Sequence, residues 1–135
     1  MIIVTADTNI YVSALHFGGL PLAFLDHARA GAFRLAISQP LTEEIREVLR
    51  GKFAWPEDRI AATLSQLDDC SVFVQPSERL DVIQDDPDDD RILECAVAAG
   101  AGFIVSGDNH LLRLGHFRGI QILKVAEFMQ CLPGL

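Results

Sequence analysis

Four carboxylates occupy positions from which they could act together: Asp7, Glu44, Asp89 and Asp108. Asp7 directly follows the apolar run Ile2 to Ala6, and Asp108 follows the run Gly102 to Ser106. Glu44 comes shortly after another such run, Phe33 to Ile37. Helix capping accounts for Asp7 and Asp108 one at a time, because Asp is a good N-cap. It does not account for both lying at the same end of a parallel sheet, where open α/β folds place their chemistry.

Helical geometry sorts the other acids, at about 100° per residue. In the helix that begins at Pro40, the residues Leu41, Ile45, Val48 and Leu49 form the apolar stripe. Glu44 falls about 85° from the centre of that stripe, Glu47 about 145° and Glu43 about 175°. Glu44 therefore sits on the shoulder of the buried face. In the helix after Pro87, the buried face centres on Ile92, Leu93, Ala96 and Ala99. Asp89 falls within about 30° of that centre, and Asp90 more than about 100° away. Asp89 is expected to project inward and Asp90 toward solvent. Acids in a first helical turn favour the macrodipole, which suits Asp86, Asp88 and Asp90. An inward carboxylate needs a cation or a hydrogen-bonding partner instead.

Converging oxygen ligands select hard cations, chiefly Mg²⁺ or Mn²⁺, with one or two ions per site. Crowded carboxylates repel one another, so at least one is expected to hold its proton more tightly than usual. The most economical use of such a site is metal-assisted hydrolysis of a phosphodiester, which needs no covalent nucleophile.

The elements that must position these acids read as short β-branched runs alternating with helical patterns. Strands are predicted over residues 2–6, 33–37, 71–74, 102–106 and 120–123. Helices are predicted over 9–16, 20–30, 40–50, 56–69, 87–99, 108–114 and 125–131. The alternation implies a three-layer α/β/α fold, with a parallel sheet of about five strands. A chain of 135 residues that is 50% apolar is expected to form a single domain over 1–135.

The formal net charge is −8, and it is local. Asp81, Asp85, Asp86, Asp88, Asp89 and Asp90 all fall within residues 81–90, with no Lys or Arg among them. Such a balance excludes a protein held to nucleic acid by a broad basic face, or to an anionic membrane. It leaves room for an enzyme that touches few phosphates. The N-terminus lacks a basic n-region and a cleavage pattern, and no apolar run approaches membrane-spanning length. Cys70, Cys95 and Cys131 show no C-x-x-C spacing and suit buried thiols in a reducing, cytoplasmic setting.

The combined motifs resemble the PIN domain, a small metal-dependent ribonuclease fold that includes VapC-type toxins. The resemblance rests on Val4-Thr5-Ala6-Asp7-Thr8-Asn9, on Ser38 followed by Leu41 and Glu44, on Asp86 to Leu93, and on Ile104 to Asp108 with Leu111-Leu112. It implies strand order 3-2-1-4-5 and the metal-site acids Asp7, Glu44, Asp89 and Asp108. Asn9 and Ser38 match supporting polar positions, and Ser106 matches a Ser/Thr that orients an acid or a water. The family often has Asn where this chain has Asp90, so Asp90 stands as an alternative ligand to Asp89. Further implications are an RNA substrate, 5′-phosphate and 3′-hydroxyl products, homodimers and, in toxin members, a partner antitoxin. Two other readings compete: a PIN-fold binding or assembly module without turnover, and a small-molecule phosphohydrolase.

Other features carry less. An EF-hand loop starting at Asp86 would have Arg91 at its Gly position and Val97 at its Glu position, so that reading fails. The four histidines show no ligand spacing and read as structural or surface residues; His110, nearest to Asp108, is the one that could touch substrate. Arg46, Arg50, Lys52 and Arg59 flank Phe53 and Trp55. That corner reads either as a clamp for single-stranded RNA or as an apolar turn that buries Trp55.

Overall fold

A computed structural model describes residues 1–132; the last three residues of the expected 1–135 domain lie outside the described ones. The chain runs β1 (Ile3–Ala6), α1 (Thr8–His16), α2 (Gly19–Arg29), β2 (Arg34–Ile37), α3 (Gln39–Gly51), α4 (Glu57–Asp68) and β3 (Ser71–Phe73). It continues with α5 (Pro87–Ala99), β4 (Phe103–Val105), α6 (Asn109–Leu114), β5 (His116–Phe117), β6 (Ile120–Leu123) and α7 (Val125–Gln130).

The strands form one sheet in the order β3-β2-β1-β4-β6-β5. All neighbours pair in parallel except β5 and β6. The predicted order 3-2-1-4-5 therefore holds for the five expected strands, with Ile120–Leu123 in the fifth place. The sixth strand is a correction. His116 and Phe117 fold back on β6 through Arg118 and Gly119, whose φ values are 50° and 82°. Two positive-φ central residues make the tight turn whose twist matches an antiparallel hairpin. A two-residue strand leaves no periodic pattern, which is why only five were expected.

The apolar runs explain the layering. β1, β2 and β4 are buried over most of their length, as strands covered on both faces must be. Helix α5 packs on β1, β2 and β4, while α1 packs on α2 and α3. Phe24, Phe33, Phe103 and Phe128 meet at ring-centroid separations of 5.0–5.6 Å and lock α2 and α7 together. Helix α5 starts with Pro87 in its first turn and stops at Gly100, whose φ of 63° is left-handed.

From β1 the chain builds outward to β2 and β3, then returns to place β4 on the other side of β1. The C-terminal ends of β1 and β4 thus flank the point where strand order reverses, which is where a crevice for ligands opens. Asp7 follows β1 directly, and Ser106 follows β4.

Candidate metal centre

Asp7 is held on both oxygens. Its Oδ1 accepts the Asn9 backbone N–H at 3.0 Å, and its Oδ2 accepts the Ser106 hydroxyl at 2.8 Å. Ser106 Oγ in turn accepts the Asp108 backbone N–H at 2.9 Å. One fully buried serine therefore ties the end of β1 to the loop after β4. Asp108 caps α6, accepting the His110 N–H at 2.7 Å on Oδ1. Burial pushes the Asp7 carboxyl above its ordinary value, and the negative charges of Asp108 and Asp86 add to the rise; the hydrogen bonds from Asn9 and Ser106 offset part of it.

The N-terminus of α5 supplies the opposite wall. Asp86 is its N-cap, with Oδ1 accepting the Asp88 N–H at 3.1 Å. Asp89 lies one turn in and is 5% exposed. Its Oδ2 is buried and has no hydrogen-bond partner. His110 Nδ1 is likewise buried without a partner; it lies 3.8 Å from Asp89 Oδ2 and 3.5 Å from Asp108 Oδ1. The Asp89 carboxyl is pushed up to about 8, chiefly by burial and then by the charges of Asp108, Asp86 and Asp7.

Asp86, Asp89, Asp108 and His110 each offer one ligand atom, and all four atoms lie within 4.8 Å of one another. Three carboxylates and an imidazole suit a divalent cation. A buried acceptor left unsatisfied costs about 1–3 kcal/mol, more when charged. A cation held between Asp89 Oδ2 and its neighbours would remove that cost, so the residues present fit a metal.

The predicted residues divide accordingly. Asp89 and Asp108 belong to the group of four, and Asp7 is joined to it through Ser106. Glu44 is half-buried on α3, on the flank nearest Asp7, Asp86 and Asp88, and outside the group of four. Burial raises its carboxyl most; a hydrogen bond from the Thr8 side chain lowers it, and the three aspartates raise it. Asn9 contributes its backbone N–H, while its side chain faces solvent. Ser38 is the N-cap residue of α3, but its buried hydroxyl makes no capping hydrogen bond and lies against the Cys95 thiol.

Sequence reasoning assigns neither Asp86 nor His110 a place among the ligands, although it singles out His110 as the histidine that could touch substrate. Asp86 was read only as helix-end chemistry, although a capping aspartate spends one oxygen and keeps the other. The signal for His110 was its place two residues after Asp108, at the start of the same helix.

Two expectations are corrected, for Asp90 and for the cysteines, and of the two readings of the corner at Phe53 and Trp55 the buried turn is the one found. Asp90 does not project to solvent: it is 2% exposed, and its Oδ1 accepts the N–H groups of Val82 and Ile83 at 3.0 and 2.9 Å. A wheel measures direction relative to the sheet, and the segment before α5 folds over its other flank. That oxygen is committed to backbone, and Asp90 is absent from the group of four. Trp55 is buried at 6% exposure, and the Arg59 guanidinium covers its ring at 3.6 Å, so the ring is closed to a nucleobase. Beside it Arg50 pairs with Glu57, Lys52 lies 5.7 Å from the Phe53 ring and Arg46 is half-buried. Of the cysteines, all free, only Cys95 is buried; Cys70 is half-buried and Cys131 exposed.

Among the described residues no helix is long and apolar enough to cross a membrane. No curated protein matches the sequence. The PIN domain family pattern matches residues 4–110, a span that opens at β1 and closes at His110. PIN domains are generally nucleases that use divalent metals, and the acidic group at the C-terminal ends of β1 and β4 is the arrangement such an activity needs. By that match the chain belongs to the PIN domain family.

Proposed function

We propose that the chain acts as one unit over 1–135, a Mg²⁺- or Mn²⁺-dependent endoribonuclease, and that it is the toxin of a toxin–antitoxin pair. The observation that supports this most is the buried, unpartnered Asp89 Oδ2 inside a group of four ligand atoms. Asp86, Asp89, Asp108 and His110 would hold the ion, with Asp7 and Glu44 on the adjoining flank. When bound, the ion supplies a more acidic water and stabilises charge on the leaving oxygen.

The chain's own residues do the positioning. Ser106 fixes Asp7 and Asp108 relative to each other, and Asp86 anchors the first turn of α5 beneath Asp89. His110 stands against both Asp89 and Asp108, and its Nε2 lies 3.9 Å from Asp85. The acidic walls repel phosphate until a cation neutralises them, which makes cleavage metal-dependent. Products with 5′-phosphate and 3′-hydroxyl ends, a homodimer, a protein antitoxin and a cytoplasmic setting belong to the same reading.

The decisive assay is cleavage of RNA with Mn²⁺ or Mg²⁺, wild type against Asp89→Asn. Asn keeps the shape of Asp and removes the charge, so the variant is expected to lose on the order of 10²-fold or more in rate. Equal cleavage by both folded proteins, or none by the wild type with metal, defeats the reading. Turnover of a chromogenic phosphomonoester with no RNA cleavage would point to a small-molecule phosphohydrolase.

A further inference from the structure

Two cations near the candidate metal centre form no side-chain ion pair, although the Lys124 backbone N–H donates to the Glu127 carboxylate at 3.0 Å. Arg113 and Lys124 form no ion pair among the described residues, whereas Arg29, Arg50, Arg91 and Arg118 are each paired with an acid. Together with Asn109 and Leu112 they line an open cavity of about 410 Å³. Arg113 also lines the neighbouring cavity of about 300 Å³, as does His110. The two openings thus share Arg113, and the second reaches His110 of the group of four.

The backbone fixes both cations close to the carboxylates. His110 and Arg113 are three apart on α6 and share a face. β4 pairs with β6 in register Val105↔Leu123, and the Ser106 N–H donates to the Leu123 carbonyl at 3.0 Å. Lys124 thus leaves the sheet beside Ser106, about one strand spacing of 4.8 Å away. In a chain of net charge −8, two uncompensated cations at the rim of an acidic site favour a ligand that is itself an anion. The cavity contains no aromatic ring on which a base could stack, and it offers a guanidinium, an ammonium and an amide.

We propose that Arg113 and Lys124 form a subsite for a backbone phosphate next to the scissile bond, so that the RNA strand runs from the metal centre along α6 past the end of β6. This rests on the ribonuclease reading above.

The test compares wild type with Arg113→Gln, Lys124→Gln and the double variant on a labelled single-stranded RNA, with Arg29→Gln as a remote control. The double variant is expected to raise KM about tenfold, with kcat within about twofold of wild type. The slope of log affinity against log salt should fall by about 0.7, the value for one lost phosphate contact on a single strand. Mn²⁺ affinity by calorimetry, without RNA, should not move. A double variant with the wild-type KM and salt slope overturns the subsite alone. So does one that loses Mn²⁺ affinity, since the cations would then act through the metal centre. A wild type that neither binds nor cleaves RNA overturns the ribonuclease reading, and the subsite falls with it.

Discussion

At Asp89 burial and neighbouring charge act in the same direction. Both disfavour the carboxylate, and both push its proton affinity up to about 8. An acid whose folded pKa lies above its unfolded value stabilises the fold at low pH, and that contribution is lost as pH rises through the folded value. After chelation of metals, the melting temperature is therefore expected to rise as pH falls from about 8 toward the ordinary carboxylate range. Asp89→Asn should melt above wild type at pH 8 and converge with it in acid, because Asn mimics the protonated form. A variant that is less stable than wild type at pH 8 in chelator would show that the charge is already compensated within the chain. Added Mn²⁺ should reverse the order at high pH, since only wild type gains from binding.

Helix α5 does two separate jobs on two flanks. Asp86 and Asp89 belong to the group of four candidate ligands, while Asp90 and Glu94, one turn apart, hold the incoming chain. Asp90 accepts the N–H groups of Val82 and Ile83, and Glu94 accepts the Leu80 N–H at 2.7 Å and faces Arg91 Nε at 3.0 Å. Arg91 completes the clasp by donating to the Leu80 carbonyl at 3.1 Å. Asp90→Ala leaves two backbone donors without their acceptor and is expected to cost about 1–3 kcal/mol. Native-state hydrogen exchange should show the loss at residues 80–83 first, ahead of the strands. Unchanged protection there would mean that the clasp carries no local stability. The difference between the flanks also shows what the sequence makes legible. Asp89's direction follows from the 3.6-residue period and the sheet beneath it. Asp90 and Glu94 are buried by a segment with no regular structure, and no periodicity announces where such a segment lies. The same contrast separates the five longer strands, which continuous apolar runs reveal, from β5, which depends on a turn of only two residues. It also separates Asp7 and Asp108, placed by strand ends, from His110, whose role emerges only when α5 and α6 face each other.

For the whole molecule the ribonuclease reading raises the question of how a chain of net charge −8 would receive a polyanion. On that reading its carboxylates gather where phosphate would arrive, and among the described residues Arg113 and Lys124 are cations without an ion pair that line the adjoining cavity. Metal and phosphate should therefore bind with strong positive coupling, the ion reversing the local field that the chain alone presents. Linkage makes this reciprocal: whatever factor the metal adds to phosphate affinity, phosphate adds to metal affinity. Titrating a nucleoside 5′-monophosphate, the shape of one cleavage product end, tests this without turnover. Its affinity is expected to rise by about 5- to 150-fold when Mn²⁺ is present, which corresponds to about 1–3 kcal/mol of coupling. Calorimetric titration of Mn²⁺ into the nucleotide-loaded protein should return the same factor, after correction for the ion's own affinity for free nucleotide. Equal nucleotide affinity with and without metal would mean that phosphate reaches the protein away from the acidic group. The metal centre would then not be where the substrate docks.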